Sequence, residues 1–338
     1  MSAAPRRLPL SLILASLGAL LAAAILAAAA LGAGRVSLAA LLGGDPVVSQ
    51  IFWQVRLPRV LLSAVLGGAL AVAGVVFQAL LRNPLADPYV LGVSAGASVG
   101  GTTALLVGLG GAGSLLAGLG PTAGAFLGAL GALVLVERLA TIEGHLAVPT
   151  LLLVGVIVNA TAGAAILFLQ SLASLEELHA VVYFLMGQVP SLGLGRVGML
   201  ALAVLAAAAL PLLQARDYNA LSLGEETAAQ LGVDVDRVKR RSFVAGSLLV
   251  ALAVSTAGMI GFVGLVVPHL LRLLLGPDHR RLLPAALLAG GILLVVADLL
   301  ARILVQPSEL PVGVLTALLG GPFFLYLLRA RRGEYGGV

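Results

Sequence analysis

The feature that most constrains this chain is a succession of apolar runs, each long enough to cross a bilayer as a helix, parted by short polar islands. A hydrocarbon core about 30 Å thick needs about 20 helical residues. On that ruler, spans fall at about 9–32, 58–80, 89–109, 113–137, 149–172, 193–214, 241–261, 282–304 and 311–328. Phe262–Leu275 is also apolar but shorter and contains Pro268, which suits a helix crossing inside the protein rather than against lipid. Counting it gives about ten spans in an all-α polytopic membrane protein, read as a single transmembrane domain over residues 1–338. The third and fourth spans must part in the Gly-rich turn Gly108–Gly113. The first run follows Arg6 and Arg7 as a signal peptide would, but it is longer, so it reads as the first transmembrane helix.

Composition agrees: 60% of residues are hydrophobic and 10% charged, against about a quarter charged in a soluble domain. Charge placement tests the span count. With the N-terminus cytoplasmic, ten spans put fifteen of the twenty Lys and Arg residues on the cytoplasmic side. Arg35, Arg56, Arg59, Arg196 and Arg302 fall outside. That asymmetry is the positive-inside pattern, with both termini in the cytoplasm. The net charge of +5 therefore describes orientation in lipid, not affinity for nucleic acid.

Three absences narrow the chemistry. Without cysteine there is no disulfide, thiolate metal site or thiol nucleophile. His145, His179, His269 and His279 lie too far apart for metal-ligand spacing, so neither a metal site nor a catalytic residue is assigned. No G-x-x-x-x-G-K-[ST] loop occurs, and Lys239, the one lysine, lacks a glycine frame. If ATP powers this protein, another chain binds it with its Mg, and this chain carries no cofactor.

The polar islands carry the information. In Arg82-Asn83-Pro84-Leu85-Ala86-Asp87-Pro88, two prolines four apart exclude a regular helix, and Asn83 and Asp87 can cap the next helix. This reads as a rigid cytoplasmic turn. Residues 217–232 are too polar to span. Leu221 or Ser222 can start a short helix running through Leu223, Gly224, Glu225, Glu226, Thr227, Ala228, Ala229 and Gln230. The glutamates suit its first turns and Gly232 its end. Such a helix needs something to pack against. Gly261, Gly264 and Pro268 mark a third break, and Pro311 and Gly313 a fourth. Asp298 and Arg302, four apart, can pair on one helix face or leave Arg302 pointing outward. Arg56 and Arg59 bracket Leu57-Pro58 at the mouth of a span, either as headgroup anchors or as receivers of acidic groups from a partner.

Together these islands resemble the FecCD/BtuC family of ABC importer permeases, which carry iron–siderophore complexes, haem and cobalamin. The resemblance rests on Arg56-Leu57-Pro58-Arg59, Gln78 with Arg82–Pro88, Gly224–Gly232, Gly261–Leu265 with Pro268-His269, and Glu309–Gly313 with Gly320-Gly321-Pro322, in family order. It implies a BtuC-like (type II importer) fold in a bacterial inner membrane. It also implies a homodimer with the path on its two-fold axis, two cytoplasmic ATP-binding subunits, and an extracytoplasmic substrate-binding protein. By likeness, Leu221–Gln230 would be the coupling helix docking to the ATPase, and Arg56, Arg59 and Arg302 would meet acidic groups of the binding protein. Val148, Pro149 and Thr150 would lie near the cytoplasmic gate, although they are less polar than usual there. The expected cargo is an iron chelate, haem or a ferric siderophore, with cobalamin as the alternative. A secondary transporter would explain the hydropathy but not the mid-chain polar helix. An intramembrane enzyme finds no acid–base or nucleophile geometry among these residues.

Overall fold

The computed structural model describes residues 9–31, 45–108, 120–305 and 308–330. Residues 109–113 of the Gly-rich turn, and Arg6, Arg7, Arg35, Arg331 and Arg332 of the charge pattern, lie outside that set. The chain is helical nearly throughout, in the order α1 (Leu10–Ala30), α2 (Pro46–Leu80), a 3-10 turn (Pro88–Leu91), α3 (Val93–Leu106), α4 (Gly120–Ala140), a hairpin of β1 (Thr141–Ile142) and β2 (His145–Leu146), α5 (Val148–Leu172), α6 (Leu175–Met186), α7 (Leu194–Leu213), α8 (Ala215–Leu221), α9 (Glu225–Gln230), α10 (Val235–Ala257), α11 (Val263–Leu275), α12 (His279–Ile303) and α13 (Val312–Ala330). Among the described residues six helices (α1, α2, α4, α5, α7 and α12) are long and apolar enough to cross a membrane unaided. Adding α3, α10, α11 and α13, whose neighbours shield their short length or charge, reproduces the ten expected spans.

The centre of the molecule is α2, whose residues from Leu66 to Leu80 are all buried. It packs antiparallel on α12, and small residues set how closely. A Cβ built on Gly67 would lie 2.2 Å from the Gly290 carbonyl oxygen, and one on Gly290 would lie 2.2 Å from that of Gly67. Lipid offers no hydrophobic force to join helices, so backbone contact of this kind replaces it. The pairs Gly96–Gly128 and Gly100–Gly124 do the same between α3 and α4.

Pro58 stands in the first turn of the regular α-helical stretch Leu57–Leu80 within the 35-residue α2. Phe52–Arg56 form a π-turn just before it, which accommodates a residue that cannot donate to the preceding turn. Two local readings need correction. Residues 173–192, given no helix from sequence, contain α6, opened by a capping box in which Ser174 and Glu177 bond each other's backbone N–H. The turn after Arg82 is not confined to the membrane edge. Gly264, beside Gly74 and Leu70 of α2, touches Pro88, while Gly155, the eighth residue of α5, touches Val90 and Leu91. At 1.5 Å per residue, the 3-10 turn lies roughly 10 Å inside the helical layer.

That depth explains why α3 has only 14 residues and α11 only 13. Each starts inside the layer, from a left-handed residue, Gly92 (φ 85°) or Phe262 (φ 66°), and they run in opposite directions. Their non-helical entries are joined by one side chain: Tyr89 Oη donates to the Ile260 carbonyl (2.8 Å) and accepts from the Ile260 N–H (3.1 Å). Asn159 of α5 donates to the carbonyls of Tyr89 and Val90, both at 3.1 Å. Irregular backbone survives at membrane depth only when protein satisfies it in this way.

Candidate functional site

The polar islands gather at opposite ends of the helix layer. At one end, called here the arginine end, Asp298 is fully buried on the last turns of α12 and pairs with both Arg59 and Arg302 at 3.0 Å. Arg59 also reaches Glu309 at 2.7 Å. Arg302 donates to the Ala28 carbonyl at 3.0 Å and the Leu31 carbonyl at 3.4 Å, and Arg56 donates to that of Ala30 at 3.2 Å. These are the last carbonyls of α1, which lack intrahelical donors and carry the negative end of the helix dipole; α1 has no basic residue of its own there. The expected Asp298–Arg302 pair is therefore present. Arg302 is only 4% and Arg56 only 7% exposed, so these two guanidiniums face into the protein, and Arg59 together with Glu309 forms the accessible edge of the cluster.

At the other end, the hairpin end, the charges lie in water-accessible pairs around α9. The 217–232 segment is two helices rather than one: α8 stops at Leu221, and Gly224 (φ 114°, ψ 152°) adopts a conformation that only glycine enters freely before α9 begins. Leu221, Ser222, Leu223 and Gly224 thus form the bend, and Glu225, Glu226, Thr227, Ala228, Ala229 and Gln230 the second helix. The Gly232 N–H bonds the Ala229 carbonyl, and the Val233 N–H that of Ala228, closing α9 where expected.

Both pieces are fastened to the spans. Buried Tyr218 of α8 accepts from Ser242 of α10 at 2.9 Å. Asn219 donates to Asp278 (2.7 Å) and accepts from the His279 N–H (2.9 Å) at the start of α12. Glu225 pairs with Lys239 at 2.9 Å and with Arg82 at 3.5 Å. Asp236 pairs with His145 of the hairpin at 2.7 Å, and Arg240 with Glu137 at 3.1 Å. The hairpin turns through Glu143 and Gly144, both at positive φ (51° and 86°), as a two-residue turn requires. It delivers the chain to Val148, Pro149 and Thr150, the first residues of α5.

Between the ends, a recess of about 510 Å³ is lined by Asp87, Tyr89, Ser94 and Ser98 on the 3-10 turn and α3, and by Asn159 on α5. It adjoins α5, whose Leu153, Val156, Ile157, Leu167 and Phe168 are exposed. Of the polar groups in this recess, the reading of the sequence noted Asp87 only as a cap and missed Asn159. An amide in the middle of an apolar span was the available signal. Nothing local announced the pairing of Arg59 with residues about 240 positions away.

Residues 4–330 match the FecCD transport family. The chain is 46% identical over 289 residues to the cobalamin import system permease BtuC of Halobacterium salinarum, covering 85% of this chain and 76% of that one. It is 42% identical over 297 residues to the hemin transport system permease HmuU of Yersinia pestis, covering 85% of each. The ABC transporter permease YvrB of Bacillus subtilis is 41% identical over 300 residues, covering 86% of this chain and 82% of that one. A solved structure described as a metal-chelate type ABC transporter in an inward-facing conformation superposes with a TM-score of 0.84 at 34% identity, covering 94% of this chain and 99% of that one.

Proposed function

Since the chain belongs to the FecCD transport family of ABC transporter permeases, we propose that it imports an iron chelate, haem or a ferric siderophore, by ATP-driven alternating access across a bacterial inner membrane. Two copies would form the path, with the exposed face of α5 and the Asp87–Asn159 recess toward the two-fold axis. Two cytoplasmic subunits would bind ATP and Mg, and an extracytoplasmic binding protein would deliver cargo. The hairpin end would face the cytoplasm, as would both termini.

The observation that carries this reading is α9. It is a six-residue helix too short to hold itself, exposed at Glu226, Thr227, Ala229 and Gln230 and tied by Glu225 to Arg82 and Lys239. A push on α9 would pass through Arg82 to the turn entering the layer. It would also pass through Lys239 and Asp236, 4.0 Å apart, to His145 and the start of α5. At the arginine end, a carboxylate of the binding protein would exchange with Glu309 on Arg59, with Arg56 and Arg302 holding the site from behind. Such pairs set docking register and encounter rate more than affinity.

The test is reconstitution with the cognate ATPase and binding protein in liposomes, following haemin, a ferric siderophore and cobalamin. ATP-dependent uptake of an iron chelate is expected, and Gly224→Val should leave ATP hydrolysis running while uptake falls at least tenfold. Uptake by the chain alone would overturn the mechanism. Cobalamin is the second reading, favoured by the 46% identity to a cobalamin permease; the visible spectrum of the ligand retained by the binding protein separates the two.

A further inference from the structure

Beside α8, at the hairpin end, a second recess of about 180 Å³ opens between the end of α2 and the start of α12. It is several times the roughly 30 Å³ that one water occupies in the liquid. Its walls carry two guanidiniums. Arg82 leaves its backbone at positive φ (48°) with a side chain half exposed. Arg272 is held by the side-chain carbonyl of Gln78.

Of the other polar lining residues, Gln78 is engaged with Arg272 and Ser222 donates to the Asn219 carbonyl, which leaves His279, a residue 5% exposed. Its Nδ1 and its backbone N–H both point at Asn219 Oδ1, at 2.8 and 2.9 Å. The Asn219 amide is oriented by its donation to Asp278, so Oδ1 must accept, and His279 Nδ1 must carry the hydrogen. Nε2 is then a bare acceptor, and it is buried without a hydrogen-bond partner. An orphaned buried acceptor is costly and calls for an explanation. The nearby Asp278 carboxylate does not oppose an anion here. Arg280 binds both of its oxygens at 3.0 to 3.3 Å, so its negative charge is offset by a guanidinium of its own.

Two cations and one acceptor are an unusual demand. A metal ion would satisfy Nε2 but meet two guanidiniums. A carboxylate or sulfate would satisfy the guanidiniums but offer Nε2 no hydrogen. An oxyanion that keeps an acidic hydrogen at neutral pH satisfies all three.

We propose that this recess binds a hydrogen phosphate group, its anionic oxygens on Arg82 and facing Arg272, its P–OH donating to His279 Nε2. The group can be free phosphate or the monoester headgroup of a lipid such as phosphatidic acid, because the recess lies at the end of two membrane-crossing helices. Bicarbonate also bears an O–H, but with a single charge it matches two guanidiniums less well. Since Arg82 is also a partner of Glu225 on α9, the bound anion shares or replaces that ion pair.

The full-length chain in phosphatidylcholine nanodiscs, titrated with inorganic phosphate by 31P saturation transfer and calorimetry, tests the free-anion arm. Native mass spectrometry from nanodiscs doped with phosphatidic acid tests the lipid arm. Phosphate binding at submillimolar concentration, at least tenfold tighter than sulfate or bicarbonate, supports the site with free phosphate as ligand. One phosphatidic acid retained per chain, without phosphate binding, supports it with the headgroup as ligand. In either arm R82Q, on an exposed side chain that should not disturb folding, weakens binding at least tenfold. His279→Phe, where it folds, does the same and removes the preference over sulfate. Absence of binding in both arms, equal affinity for sulfate or bicarbonate, or unchanged binding in R82Q overturns the proposal.

Discussion

The two ends of this molecule use charge in opposite ways. At the arginine end, Asp298 is fully buried and shared by two arginines, one of them 4% exposed. At the hairpin end, the Arg237–Asp234 side chains are 64% and 52% exposed, and those of His145–Asp236 are 70% and 43% exposed. Removing one member of a buried cluster strands the others in a medium that cannot solvate them, whereas an exposed pair exchanges one partner for water at little cost. The arginine end is therefore a fixed joint clasping α1, α2 and α12. The hairpin end is a set of contacts that can open and re-form at little cost.

Mutations sharpen or break this contrast. Asp298→Asn should have the largest effect, a loss of about 3–5 kcal/mol, read by thermal unfolding in detergent. A change below about 1 kcal/mol would mean that the cluster is hydrated. Lys239→Met at the hairpin end should cost only about 1 kcal/mol. Lys239 is 9% exposed in its side chain, but its partner Glu225 is 34% exposed and keeps Arg82. Raising salt from 0.1 to 1 M shortens the screening length from about 10 to about 3 Å. It should speed amide exchange in α9 and the hairpin while leaving α1 and the end of α12 unchanged; equal acceleration at both ends would erase the distinction. Arg237→Ala should move stability by no more than a few tenths of a kcal/mol.

The ten spans were legible because the hydrocarbon thickness sets a length that sequence alone can measure. The α9 segment was legible because polarity, paired glutamates and Gly232 mark a short surface helix with an end. Its break was not, since Gly224 could as well have been carried inside a helix, and only its φ of 114° shows otherwise. α6 was missed despite its Ser174–Glu177 capping box, because a 20-residue ruler overlooks a 12-residue helix. Arg59 could be named but not paired. Asp298 lies 239 residues further along the chain, and only the antiparallel contact of α2 with α12 brings them together. The depth of Pro88–Leu91 was hidden for a similar reason. Two prolines predict a bend, but how far a bend sinks depends on which glycines of other helices make room for it.

The Tyr89 clasp on Ile260 has a mechanical corollary. A phenol that gives to one peptide unit and receives from the next, on either side of Ile260, ties the two loops together, so separating α3 from α11 must break both bonds. Whatever stroke the transporter makes, this pair should travel as one block. Bending would then fall to the joints around that block, where a single substitution, Tyr89→Phe, would convert one moving part into two.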